Sequence, residues 1–579
     1  MYEVVVGIDF GTSGTGYAYS FKDPQNINLG KFKGQNIDIK VPTEIILDSK
    51  LDNVKAFGTE CSSYKLTNDD LYFKKIKMNL YHNKNYIHPE NKSDTCLLVD
   101  VVAKIFEYIK KVAIDSIHEN RPNINEDQIK WIVTVPSIWD LPQKGIMMVA
   151  CERAGLFNKN TDRGNFLALE PEAASLYCSY DNSIDKNYLI TGKTYIVCDL
   201  GGGTGDLVTH YRLSEASVIE KYKPTGGPYG SEEIDHEFLT QVIKEIFGFD
   251  NFISLKDKLN QTKLAKLESS WDEISLYHEW NEFEEKIKNQ KRITYAIKDS
   301  SFSLSCQIFS DFENGAKLKD LVNKFNKSCK EGWKVDIKNE KFWILEFPNK
   351  IIFDLIEDHA KKIGAQISEI CYQVKDIESI LYVGGYCANE VLIDLLKKNF
   401  PNLVHLKPSC PERAIIQGAV IFGINPFVIG SRKARYTIGF NCDDPWDEKI
   451  HGSVIENKYY DNNYHCHKCR NSFHTFIKKG DDLIQKNFIE QSFITMNSRV
   501  VVLKFFMSHK ENPVLTTEDG VELIGNEQLD LGRDYPLEER NFILRINFGG
   551  TYAVASCLHE KSMREFKFPL YFNKISNQK

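Results

Sequence analysis

Tyr195-Ile-Val-Cys-Asp-Leu-Gly-Gly-Gly-Thr-Gly-Asp-Leu-Val208 decides how the rest of the chain is read. A β-favouring run from Thr194 to Cys198 leads into Asp199, glycines follow at 201, 202, 203 and 205, and a second apolar run resumes at Leu207. That order predicts a tight hairpin. Glycine tolerates positive φ and lets backbone N–H groups approach an anion with no Cβ in the way. The turn therefore suits a phosphate, and Asp199 and Asp206 on either side of it suit a hydrated Mg2+. Near the N-terminus, Val4-Val-Val-Gly-Ile-Asp-Phe-Gly-Thr-Ser-Gly-Thr-Gly16 repeats the plan, with a β-branched strand, Asp9, Gly11 and then Thr12 and Ser13 at the turn. Superposing Asp9 on Asp199 puts Gly11 on Gly201, a short internal repeat at long spacing. Two lobes are implied, each offering one hairpin to the phosphates, with Asp9 and Asp199 converging on one ion.

The chain has 579 residues, too many for one core, and predicts three or more compact units. Acidic side chains number 80 against 73 basic ones, for a formal net charge of −7, which argues against nucleic-acid or anionic-membrane partners. With 42% hydrophobic and 26% charged residues the composition is that of a folded globular protein, not a disordered one. Cys151, Cys178, Cys198 and Cys371 sit singly inside apolar runs, the pattern of a reducing compartment. Asp9 interrupts the first apolar run where a secretory core would continue, and the Ala414 to Ile429 run is broken by Gln417, Asn425 and Pro426. A cytoplasmic location is expected.

Between the hairpins, Leu71-Tyr-Phe-Lys-Lys-Ile-Lys-Met78 holds three lysines in four positions. A solvated face explains at least one of them, but a phosphate site that develops negative charge also needs a cation. Apolar residues spaced three and four apart predict a helix from Leu97 to His118, and Ile129-Lys-Trp-Ile-Val-Thr-Val-Pro136 a strand stopped by proline. A helix over 142–154 ends at Gly155. Glu170 closes the strand Phe166-Leu-Ala-Leu and precedes a helix. It is either a working strand-end residue or a carboxylate favoured by the helix dipole. Thr225-Gly-Gly-Pro-Tyr-Gly-Ser231 is a further glycine loop, with Ser231 expected to cap a helix whose N-terminus adds a phosphate contact. Residues 250–350 read as a mostly helical insertion. Ile380-Leu-Tyr-Val-Gly-Gly-Tyr386 is a third strand-to-glycine turn, and from about Ser431 the pattern changes to short alternating strands, an antiparallel β module. Within it, Cys466 and Cys469 could give half a zinc site that Cys442 could complete, although structural or incidental thiols are the favoured reading.

With these motifs in hand, together with Val133-Thr-Val-Pro136, Ala168-Leu-Glu-Pro-Glu-Ala-Ala174 and Val383-Gly-Gly385, the chain resembles the nucleotide-binding domain of the heat-shock 70 kDa chaperones, in the actin and sugar-kinase superfamily. Ile8-Asp-Phe-Gly-Thr12, Gly16-Tyr-Ala-Tyr19 and Leu169-Glu-Pro-Glu-Ala-Ala-Ser-Leu-Tyr-Cys178 are most similar to the divergent heat-shock 70 kDa protein 12 subgroup. The resemblance implies an α/β, actin-like ATPase (ribonuclease H-like) fold. Lobe I would cover 1–190, lobe II 191–428 and a β-sandwich-like C-terminal module 429–579.

It also implies ATP or ADP with Mg2+ as cofactors. Asp9, Asp199 and Asp206 would hold the ion, and Gly11, Thr12, Ser13, Gly201, Gly202, Gly203, Thr204 and Gly230 the phosphates. Glu170 would orient or deprotonate the attacking water beside Asp199. Lys77 would be the catalytic lysine, with Lys75 as the alternative. Gly384 and Gly385 would wall the adenosine, and Glu284 and Lys288 would meet it. Two departures stand out: Tyr386 and Ala388 occupy the places of the chaperones' small hydroxyl residue and adenine-stacking arginine, and no acidic polyleucine linker or helical lid follows Gly430. The expected function is a slowly hydrolysing ATP switch with a protein partner or client on the β module. A non-hydrolysing scaffold and a small-molecule kinase are the alternatives, and no aspartate outside the metal set is placed to serve the kinase.

Overall fold

The computed structural model describes residues 2–570 except 33–39, 68, 92–94, 158–166, 215–216, 250–254, 256–279, 281, 289–299, 311–316, 463, 485–486, 549 and 552. It is a mixed α/β protein. Val4–Phe10 pairs antiparallel with Gly14–Ser20 and parallel with Ile129–Val135, which pairs parallel with Leu167–Leu169. Thr194–Leu200 repeats that arrangement: it pairs antiparallel with Gly205–Ser214 and parallel with Ile377–Val383, whose other neighbour is the parallel strand Val404–Leu406. The repeat visible in the two hairpins thus extends to the order of strands in both sheets.

Period-two side chains explain how each sheet is covered. Val4, Val6, Ile8 and Phe10 point into a core shared with the helices Leu98–Asn120 and Leu141–Arg153, while Val5 joins a core with Ile416, Ala419 and Val420. Ile196, Cys198 and Leu200 pack with the helices Lys350–Gln373 and Glu390–Asn399, and Tyr195 and Val197 with Ala174, Ala414 and Ile415. The helices Glu170–Cys178 and Arg413–Ile424 therefore lie between the two sheets. They approach closely because Gly418 faces the Ala173 carbonyl, where a Cβ would come within 1.8 Å of the oxygen. Any larger residue there forces the helices apart.

Where the sequence predicts mostly helix over 250–350, much of the segment lies outside the described residues. The described part adds three antiparallel strands, Ser301–Ser305, Asp336–Asn339 and Ile344–Pro348, to the helix Leu318–Ser328. The alternation of Phe302 and Leu304 with serines is the period-two signal behind the first of them.

After Pro426, Ile429–Lys433 joins the second sheet between Ser217–Gly227 and the edge strand Asp482–Ile484. Beyond it, a five-stranded and a four-stranded antiparallel sheet share one core that includes Phe440, Leu503, Phe505, Phe542 and Leu544. Two buried polar contacts tie this region to the rest. Arg432 makes a bidentate pair with Glu172, through Nε and Nη2 at 2.7 Å each, and the Lys433 N–H donates to Glu220 at 2.6 Å. None of the fourteen cysteines forms a disulfide, and among the described residues no helix is long and apolar enough to cross a membrane.

Burial, reinforced by the charge of Glu172, pushes the Glu220 carboxyl up to about 8 in spite of the Lys433 N–H and Arg432. The folded chain then keeps a proton that an unfolded glutamate gives up at about pH 4.3, so this stabilisation is complete below about pH 4 and is lost as pH rises through about 8. Glu220→Gln mimics the protonated form. It should raise the melting temperature at pH 8.5 by about 2–5 °C and leave it unchanged at pH 4, as read by thermal denaturation at both pH values.

Candidate functional site

The two hairpin turns meet. A Cβ on Gly202 would lie 1.7 Å from Ser13 Oγ and one on Gly203 2.6 Å from Thr12 Oγ1, so the first turn rests directly on the second. The first is braced by Thr43, whose hydroxyl donates to the Gly11 carbonyl at 2.7 Å and whose N–H donates to that of Ser13 at 3.3 Å. The second closes on itself through the Gly201 N–H to the Thr204 carbonyl at 2.9 Å.

Four carboxylates converge beneath the turns. Asp9, at the end of its strand, accepts from the Thr134 hydroxyl at 3.3 Å. Asp206 crosses to the other sheet's loop and accepts from Ser137 Oγ at 2.8 Å and the Ile138 N–H at 2.9 Å. Glu170, first residue of its helix, pairs through Oε1 with Lys77 Nζ at 2.5 Å, both side chains being buried. The strand end and the helix dipole thus act on the same carboxylate. Asp199 stands opposite Asp206 in the hairpin, and both of its oxygens are buried without a hydrogen-bond partner. Burial first, then the charges of Glu170, Asp206 and Asp9, hold the Asp199 carboxyl well above the usual carboxylate range. Burial likewise raises Asp206, against the Ile138 and Ser137 hydrogen bonds, and it raises Glu170 to about 7 against the attraction of Lys77.

Lys40 is the member of this site that the sequence reading misses. Its ammonium contacts Asp9 Oδ2; burial alone would lower its pKa, but Asp9, Glu170 and Asp199 together push it up. It stands immediately before Val41–Pro42, which pairs with Gly14 and Thr15. Nothing in its local pattern marks it. Ser137, which directly follows the Val133-Thr-Val-Pro136 motif, is missed for the same reason.

Charge decides what fits. Four carboxylates against Lys40 and Lys77 leave an excess of two negative charges when all are ionised, in a place where Asp199 lacks any donor. A hydrated divalent cation of the Mg2+ type, bound by carboxylate oxygens, matches that deficit. Orphaned buried oxygens are otherwise costly.

No family model matches the chain. It is 24% identical to heat shock 70 kDa protein 12A of Homo sapiens over 98% of this chain and 91% of that protein. The same identity is found to heat shock 70 kDa protein 12A of Mus musculus over 91% and 85%, and 23% to heat shock 70 kDa protein 12B of Homo sapiens over 99% and 91%. Over nearly its whole length the chain is similar to heat shock 70 kDa proteins 12A and 12B.

The remaining residues expected at the site fall into separate groups. Lys75 turns away from Glu170, adopting φ 51° and pairing with Glu284 at 3.8 Å, while Lys288 pairs with Glu285 at 2.9 Å. Lys75, Glu284 and Lys288 thus form a charged group of their own with Glu232. Gly384 borders the ion cluster: with φ 87°, a Cβ there would lie 2.5 Å from Asp199 Oδ1, whereas Gly385 faces open space. The helix cap is Gly230, not Ser231. The donors of that helix end are already used, Gly230 N–H on the Gly203 carbonyl, Ser231 N–H on Gly201 and Glu232 N–H on Gly202. They pin the glycine turn instead of facing an anion, because a carbonyl in reach satisfies an N–H as well as a phosphate does. Cys466 and Cys469 are three apart on the strand Cys466–Ile477, so they point to opposite faces and cannot share an ion.

Proposed function

We propose that this chain is an ATP-binding, slowly hydrolysing molecular switch of the heat-shock 70 kDa type, with lobe I over 1–190, lobe II over 191–428 and a β-sandwich-like module over 429–579. The observation that carries this reading is the convergence of Asp9, Asp199, Asp206 and Glu170 beneath two touching glycine turns, with Asp199 unsatisfied. Asp9, Asp199 and Asp206 hold the cation, which when bound neutralises phosphate charge. The first turn offers Thr12 and Ser13 hydroxyls, and the second its glycine N–H groups, to the phosphates. Since Ser13 rests on Gly202, a phosphate between the turns parts them, and that movement is what the β module would read. Glu170 accepts a proton from, or orients, the attacking water, and Lys77 keeps Glu170 in place and balances charge on the γ-phosphate. A protein client or partner on the β module fits the mild net charge.

A non-hydrolysing nucleotide scaffold is the second reading, favoured by one contact: the Lys40 ammonium already occupies Asp9, a cation's ligand. Asp199→Asn tests the main reading. Losing an unpaired buried charge, the nucleotide-free variant should melt higher, while Mg2+-dependent ATP binding, measured by calorimetry, should weaken at least about tenfold. Unchanged binding would remove Asp199 from the ion site. Phosphate release by the wild type no faster than by the variant would favour the scaffold.

A further inference from the structure

We propose that the strands Thr437–Pro445 and Cys466–Ile477 carry a separate metal site for Zn2+, made by Cys442, Asp444 and His474. Cys442 Sγ, one Asp444 oxygen and a His474 ring nitrogen all lie within 4.8 Å of one another. Cys442 and Asp444 are two apart on one strand and so share a face, and His474 reaches them from the adjacent antiparallel strand. The pairing register shifts between Cys442 and Asp444, the kind of irregularity that re-aims side chains at a site.

The present contacts are those of a site holding a proton. The Cys442 thiol donates to Asp444 Oδ1 at 3.0 Å, and His474 Nδ1 meets the same oxygen at 3.0 Å. Ligand atoms around a tetrahedral zinc with bonds of about 2.0–2.3 Å stand about 3.3–3.8 Å apart, so small side-chain adjustments suffice. Zn2+ entry releases the thiol proton to solvent and displaces the Nδ1 proton that faces Asp444, leaving a neutral ring with its proton on Nε2. Thiolate, carboxylate and neutral imidazole then carry two negative charges, which the ion cancels.

The surroundings hold the ligands as second partners do in metal sites. Ser472 Oγ donates to Asp444 Oδ2 at 2.9 Å, fixing the carboxylate while leaving Oδ1 to face the centre. Gln491 hydrogen-bonds to the His474 ring. Side chains of His474 and Asp444 are 28% and 24% exposed, which gives an ion a way in and leaves a fourth position for water. Sulfur with imidazole selects Zn2+ over Mg2+, so this site and the nucleotide site do not compete for one ion.

The test uses the full chain, stripped of metal and titrated with Co2+ and then Zn2+. One equivalent of Co2+ should bind with a sulfur-to-cobalt charge-transfer band and be displaced by Zn2+. Cys442→Ser and His474→Gln should each weaken binding at least about tenfold, the scale of disturbed metal sites, and Cys466→Ser should not. The wild-type cobalt spectrum answers the question even if a variant misfolds. Failure to take up one equivalent, a spectrum without sulfur ligation, or binding untouched by Cys442→Ser and His474→Gln would overturn the site.

Discussion

Glu170→Gln is expected to lower steady-state phosphate release from ATP by about 10²–10⁴-fold while leaving ATP affinity within a few-fold, the loss typical of a removed general base. The amide keeps the volume of the carboxyl at the head of the helix Glu170–Cys178 but accepts no proton, and its pairing with Lys77 loses its charge. Lys77→Ala should lose turnover on a similar scale for another reason. It leaves Glu170 buried among Asp9, Asp199 and Asp206 with its direct cationic partner gone, so the carboxyl rises further above about 7 and is protonated at neutral pH. The wild-type rate should accordingly fall as pH drops below about 7, because only the ionised form serves as base. Positive charge added beside the carboxylate moves that limb to lower pH. Single-turnover phosphate release over pH 5.5–8.5 reads both effects. A Glu170→Gln rate equal to wild type would take Glu170 out of the chemistry.

The second large effect is structural. Arg432 and Glu172 are 7% and 2% exposed at the side chain and are joined by two parallel hydrogen bonds across the join between the helix Glu170–Cys178 and the strand leading to the C-terminal sheets. Arg432→Ala should destabilise the protein by about 3–5 kcal/mol, since it leaves a carboxylate buried without its partner. Glu172→Gln with Arg432→Met, which removes both charges, should recover much of that loss. Denaturant unfolding of the three proteins checks this, and limited proteolysis near residue 430 should be faster for Arg432→Ala. Because Glu172 lies two residues from Glu170, the single variant should also lower nucleotide-dependent phosphate release, whereas a variant on the far sheets should not.

Much of this architecture is local and so is written in the sequence. Strand, aspartate and glycine turn recur at Asp9 and Asp199 because backbone freedom and period-two burial are short-range demands, and the helices at 98–120 and 141–153 follow from apolar spacing and a terminal glycine or proline. Glu170 and Lys77 lie within quoted motifs, and the structure places them 2.5 Å apart. Lys40, Ser137 and the partnership of Cys442 with Asp444 and His474 could not be found that way. Each becomes a partner only through strand pairing or a loop crossing between sheets, and no pattern within a few residues encodes what lies opposite. The same reason bears on two spacings read from the sequence. Cys466 and Cys469 have a metal-ligand spacing, but on an extended strand that spacing sends them to opposite faces. The helix end at Gly230 has an anion site's sequence, but the carbonyls of Gly201, Gly202 and Gly203 reach its donors first. The sequence by itself determined which residue types are present and which backbone shapes they allow. Only the tertiary structure decided which charges meet, because side chains far apart in the chain interact through burial and distance, and the fold sets both.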